Sequence, residues 1–148
     1  MGSEQAMLDK IDLAIAEANQ TYADSGIHAE VNLVQAMQVP FTETTDMASD
    51  LYRLRGDASI RSLREQYHAD MVCLLNETTG PYAGIAFLLK GSGTDAYSIV
   101  QAKYAVGYFT FVHELGHNLG RSHDCDNAWA GGAFSYSHGN RLTLSGTL

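Results

Sequence analysis

The stretch His113-Glu114-Leu115-Gly116-His117-Asn118-Leu119-Gly120-Arg121-Ser122-His123-Asp124 constrains this 148-residue chain more than any other. Two histidines four apart on a helix project from one face, a turn from each other, so His113 and His117 can bind one small ion. Gly120, three residues on, suits the positive-φ backbone that ends a helix and turns the chain. His123 then closes on the ion from another side. The pattern reads as a three-histidine Zn2+ site with a fourth position kept for water. Five specified residues at fixed spacing arise by accident in about one chain of this length in ten thousand.

Glu114 follows the first histidine, so it lies beside the ligand face rather than on it. There it can act as general base, taking a proton from water at the zinc and passing it to a leaving amine. In an ordinary helix the same glutamate would be a solvated side chain. Asp124, directly after the last histidine, reads as a structural carboxylate that fixes the turn rather than as a ligand. His28, His68 and His138 lack ligand spacing and are expected on the surface or in the core.

Helices and strands alternate along the rest of the chain. Leu8, Ile11, Ile15, Ala18 and Tyr22 recur at steps of three and four, predicting an amphipathic helix over 4–24 stopped by Ser25-Gly26. Val31 to Val39 reads as a strand covered on both faces and closed by Pro40. Short helices are expected over 46–55 and from Asp57 or Ser59 to about His68. Met71–Leu75, Gly84–Leu89 and Tyr97–Val100 read as strands, with turn chemistry at Thr79-Gly80-Pro81 and a loop over 90–95. A long helix is expected from about Lys103 to Gly120, packed beneath the sheet with its histidine face toward a cleft. Residues 126–148, rich in Gly, Ser, Asn and Tyr, are expected to be irregular. This order gives an α/β class with a mostly parallel twisted sheet in a single domain, 1–148.

A hydrophobic share of 45% and a charged share of 18% fit a folded globule. With a formal net charge of -8 and no basic run, nothing recommends a nucleic-acid or anionic-membrane partner. Met1-Gly2-Ser3 lacks the basic and apolar regions of a secretory leader and reads as a cloning scar. Cys73, inside an apolar run, is expected as a buried free thiol; Cys125 is open to a free, ligating or disulfide-bonded state.

His113-Glu114-x-x-His117-x-x-Gly120-x-x-His123 is the metzincin signature. With Asp124 after it, the chain resembles the adamalysin/reprolysin branch of the zinc metalloproteases and related bacterial secreted metallopeptidases. The resemblance extends to Asn19-x-x-Tyr22-x-x-Ser25-Gly26-Ile27, which is similar to the end of that family's first helix. Ala69-Asp70-Met71-Val72-Cys73-Leu74-Leu75 resembles its central strand, and Tyr136-Ser137-His138-Gly139 the approach to its Met-turn.

That resemblance implies a metzincin-like catalytic domain with an antiparallel edge strand and a long active-site helix. It implies a secreted zinc endopeptidase acting on protein or peptide substrates, with Glu114 as base. Gly84, Ile85 and Ala86 would be the edge strand that pairs with an extended substrate. All five methionines lie at or before Met71, and no strand precedes the first helix. These departures lead one to expect a domain shortened at both ends, without the Met-turn that underlies the histidines in the family. They also keep open a second expectation, a catalytically silent zinc-binding remnant or interaction module. A closed structural zinc site, with Asp124 or Cys125 as fourth ligand, is a third.

Overall fold

Ser3 opens the fold: its hydroxyl accepts the Ala6 amide at 3.2 Å and caps α1, Glu4–Asp24. The helix stops where the sequence predicts. Gly26 takes φ +67°, and the Ile27 amide reaches back to Tyr22 O at 2.8 Å. The computed structural model describes residues 3–78, 80–90 and 93–139. Met1, Gly2, Thr79, Gly91, Ser92 and the last nine residues, parts of the scar, turn, loop and tail expected above, lie outside the described residues.

Two short helices follow, α2 (Met47–Gly56) and α3 (Ala58–Gln66). Asp46 caps the first through the Ser49 amide, and Asp57 the second through the amides of Ser59 and Ile60. Buried Asp50 ties the preceding loop to α2, accepting from Thr44 N at 2.7 Å and from Arg53 at 2.6 Å.

Three strands, β1 (Val72–Asn76), β2 (Gly84–Ala86) and β3 (Tyr97–Gln101), form one sheet in the order β1-β3-β2. β1 runs parallel to the central β3 and β2 antiparallel to it. On one face Tyr97 and Ile99 bury against Met47, Leu51 and Leu54 of α2 and Ile60 of α3, with Val72, Leu74, Ile85 and Phe87 packed around them. Each fully buried side chain of this kind contributes about 1.5–3 kcal/mol. Residues one step out of phase, Cys73 and Ser98, point to the opposite face. That face carries α4 (Thr110–Asn118), which packs on β2 and β3 and meets α1. Asn118, buried at the end of α4, donates to Phe87 O at 2.9 Å and Tyr97 O at 3.2 Å, locking helix to sheet.

The structure corrects four expectations. Residues 31–39 are extended but join no ladder among the described residues, and most are exposed rather than covered on both faces. A strand is regular only where a neighbour takes its N–H and C=O groups; here the fastening is the Asn19 amide, which bonds both Val31 N and Val31 O. The sheet is mixed: Gly84–Ala86 is the expected antiparallel edge strand, but with only one parallel pair beside it among the described residues the sheet is not mostly parallel. β2 ends at Ala86 because Leu89 N leaves the ladder for His117 O at 3.1 Å. The active-site helix is short, nine residues, and begins at Thr110 instead of Lys103. Residues 102–104 form a separate 3-10 turn, after which Gly107 (φ +78°) and Phe109 (φ +57°) break the helical path. The Gly107 amide is held by the Glu17 carboxylate of α1 at 2.9–3.0 Å.

Candidate metal centre

The three histidines converge. The Nε2 atoms lie 3.1 Å apart for His113–His117, 3.2 Å for His113–His123 and 3.2 Å for His117–His123. Tetrahedral zinc–nitrogen bonds of 2.0–2.1 Å put ligand atoms about 3.3 Å apart, so the donor set fits one zinc ion. Among the described residues these three form the group that could hold a metal. Asp124 and Cys125 do not join it.

Local structure supplies each ligand. His113 and His117 stand on α4 one turn apart. The helix then ends at Gly120, whose φ of +87° swings the chain back toward the histidine face. A side chain there would also meet Ala133 Cβ at 2.5 Å, so glycine is required twice over. Nδ1 of His117 lies 2.7 Å from Arg121 O; as donor to that carbonyl it leaves the Nε2 lone pair free for a metal. The His113 ring has its pKa lowered to about 4, first by loss of water and then by the charges of His117, His123 and Arg121. His117 is lowered for the same first reason. Neutral imidazoles are the form a metal needs.

Glu114 is 4% exposed, next to the ligand face and under the edge strand. Burial pushes its carboxyl up to about 8. Gly84 lies so close that a Cβ would meet Glu114 Oε1 at 2.7 Å. Of the expected substrate strand, Gly84, Ile85 and Ala86 all fall in β2, which has β3 on one side and no strand on the other among the described residues. Gln101 N bonds Ala83 O, and Phe87 N bonds Tyr97 O. Residues 83, 85 and 87 therefore face β3, and Gly84 and Ala86 turn their N–H and C=O groups to the open edge.

Asp124 accepts both carboxylate bonds from Asn127 Nδ2, at 2.8 and 3.0 Å, within the turn that follows His123. Both cysteines are free. Cys73 faces α4, and burial pushes its thiol up to about 12; Cys125 is exposed. His28 and His68 are exposed, and His138 packs its Nδ1 3.3 Å from His123 O. Asn118, Ser122 and Arg121 gain their place at the site only through the fold. No apolar pattern marks Asn118, since α4 buries Thr110 and Glu114 as well as Leu115; Ser122 and Arg121 carry no signal either, because spacing alone does not mark them.

The family model of metallo-peptidase family M12, of reprolysin type, matches residues 1–144. The chain is 33% identical over 141 residues to a peptidyl-Asp metalloendopeptidase of Xanthomonas campestris, covering 91% of this chain and 33% of that protein. A protein of the same name in Stenotrophomonas maltophilia is 31% identical over 141 residues, with the same coverage. One in Pseudomonas aeruginosa is 30% identical over 131 residues, covering 76% of this chain and 22% of that one. The chain thus spans about a third of the length of the curated relatives it matches first. A solved structure titled "Structure of a chaperone-substrate complex" superposes with a TM-score of 0.66 at 21% identity, over 84% of this chain and 24% of that one, and shares the fold. Among the described residues no helix is long and apolar enough to cross a membrane. With its zinc-type histidine set and this match over nearly its whole length, the chain belongs to the reprolysin-like metallopeptidases of family M12.

Proposed function

We propose that residues 1–148 form one catalytic domain that holds zinc through His113, His117 and His123 and hydrolyses peptide bonds at aspartyl residues, with Glu114 as general base. The observation that carries the reading is the convergence of three imidazole Nε2 atoms beside a buried carboxyl on the same helix. When bound, zinc supplies Lewis acidity, polarising the scissile carbonyl and acidifying water near neutral pH.

The chain's own residues do the rest. Glu114 takes a proton from the attacking water and returns it to the departing nitrogen. Its place supports that exchange: the carboxyl is shielded from bulk water and stands beside the ligand face, within one residue of His113. The outward N–H and C=O groups of Gly84 and Ala86 hold the substrate extended, as an added strand. The aspartyl preference rests on the printed name of the relatives. Arg121 supports it: exposed on the turn between the second and third histidines, it lies near enough to His113 for its charge to be felt there. A guanidinium in that place suits an incoming carboxylate. We extend the reading to a secreted peptidase on the family resemblance alone.

The test is to incubate zinc-loaded protein with peptides containing a single Asp and with matched Asn peptides. Cleavage at the Asp bond, lost with a chelator and restored by zinc, is expected. Loaded protein that leaves both peptides intact contradicts the reading and favours a silent metal-binding domain.

A further inference from the structure

His123 is the one ligand not carried by α4. It sits on the turn that follows Gly120, and a turn left to itself would hold an imidazole poorly. The chain comes back to it. Ala133 N donates to Gly120 O at 2.7 Å, Ser122 N to Ser137 O at 2.8 Å, and Gly139 N to Ser122 O at 2.9 Å and His123 O at 3.2 Å. The Ser122 hydroxyl, on a residue 5% exposed, donates to Ala130 O at 2.6 Å. Ser122 and His138 form an isolated parallel bridge, and His138 Nδ1 lies 3.3 Å from His123 O.

The fit is also steric. A side chain on Gly132 would collide with Ser137 O and lie 2.7 Å from Gly120 O, and one on Gly120 would meet Ala133 Cβ at 2.5 Å. The two segments approach as closely as backbones can. Gly120 O, Ser122 N and O and His123 O are all engaged by residues 133–139. Irregular as it is, the segment Ala130–Gly139, which includes Tyr136-Ser137-His138-Gly139, backs the ligand turn.

We infer that Ala130–Gly139 is a bracket that positions His123 for the metal, with Ser122 as its principal positioning residue. The inference rests on the metal-binding reading above. Its reasoning is linkage: a metal that needs His123 in one place binds more tightly when the turn is already held there. By the same coupling, metal loading tightens the bracket.

Zinc affinity by competition with a chromophoric chelator tests this in the wild type, in Ser122→Ala and in Ser122→Thr, which keeps the hydroxyl. Ser122→Ala is expected to weaken binding about tenfold, the lower end of the effect of removing a group that supports a metal ligand. Ser122→Thr should recover most of that loss. In cobalt-loaded protein the visible band of the site should shift in the alanine variant. Amide exchange in the unmutated protein provides a second reading: Ser122, Ala133 and Gly139 should exchange more slowly once zinc is bound. Wild-type protein that binds no zinc would overturn the metal reading itself. Tight binding left within twofold by Ser122→Ala, or exchange at these amides indifferent to zinc, would overturn the bracket alone.

Discussion

Gly84 and Glu114 occupy one space: a Cβ on Gly84 would lie 2.7 Å from Glu114 Oε1 and 2.8 Å from its Cγ, with Thr110 Cγ2 at 2.9 Å. The edge strand passes directly over the carboxyl of the active-site helix, and only a residue without a side chain allows it. Gly84→Ala must push Glu114 aside or lift β2. Overpacking of this kind costs about 1–3 kcal/mol. Peptidase activity is expected to fall at least about tenfold, since an ångström-scale displacement of a catalytic group has effects of that order or larger. Zinc content should stay at the wild-type level. Loss of zinc along with activity would show that the pair holds the helix rather than the base.

Arg121 is expected to read the substrate. Replacing it with Ala should lower kcat/KM for Asp peptides about tenfold or more, the worth of a charge-assisted contact, and leave Asn peptides nearly unchanged. An equal fall for both peptides would assign the Arg121 side chain to the shape of the metal turn instead of to the substrate.

Removing the metal exposes two opposed titrations. Burial raises Glu114 from 4.5 to about 8, so between those values the folded state keeps a proton that the unfolded chain has released. Stability from this group is complete below 4.5 and is lost as pH rises toward about 8. His113 is lowered from 6.5 to about 4, so the folded state binds fewer protons in that window. Its contribution is present above 6.5 and is lost as pH falls toward about 4. Glu114→Gln removes the first effect. In chelator-treated protein, the melting temperature of the variant relative to wild type should therefore climb between about pH 5 and pH 8. A difference that stays constant over that range contradicts the placement of Glu114 in a water-poor site.

Asn118 ties α4 to the sheet by two carbonyls, Phe87 O and Tyr97 O. Asn118→Ala leaves both acceptors without that donor in a buried place, costing about 1–3 kcal/mol. Chemical denaturation should show this as a lowered midpoint with an unchanged slope. No change in midpoint would mean that water replaces the amide.

What was legible in the sequence was local. The bounds of α1 follow from Ser25-Gly26 and an apolar repeat, and the histidine convergence follows from the helical period and the Gly120 turn, none of which needs a distant partner. What was not legible depended on contacts between remote residues. Val31 to Val39 has strand composition, but composition does not supply a neighbour. The helix expected from Lys103 starts later because Gly107, held by the Glu17 carboxylate ninety positions earlier, turns the chain. The bracket at Ala130–Gly139 is made largely of backbone bonds, so its sequence has no periodicity to betray it. Ser122 looked like a spacer within the motif and is instead a buried anchor.

The role proposed for Glu114 is chemistry at a metal it does not hold. Glu114→Gln keeps the shape of the side chain and removes the base. Zinc content and cleavage of an Asp peptide, measured on the same preparation, test the claim together. Zinc should be bound as in the wild type and cleavage reduced by about a hundredfold or more, the usual worth of a general base. Cleavage at the wild-type rate with zinc bound would contradict that role.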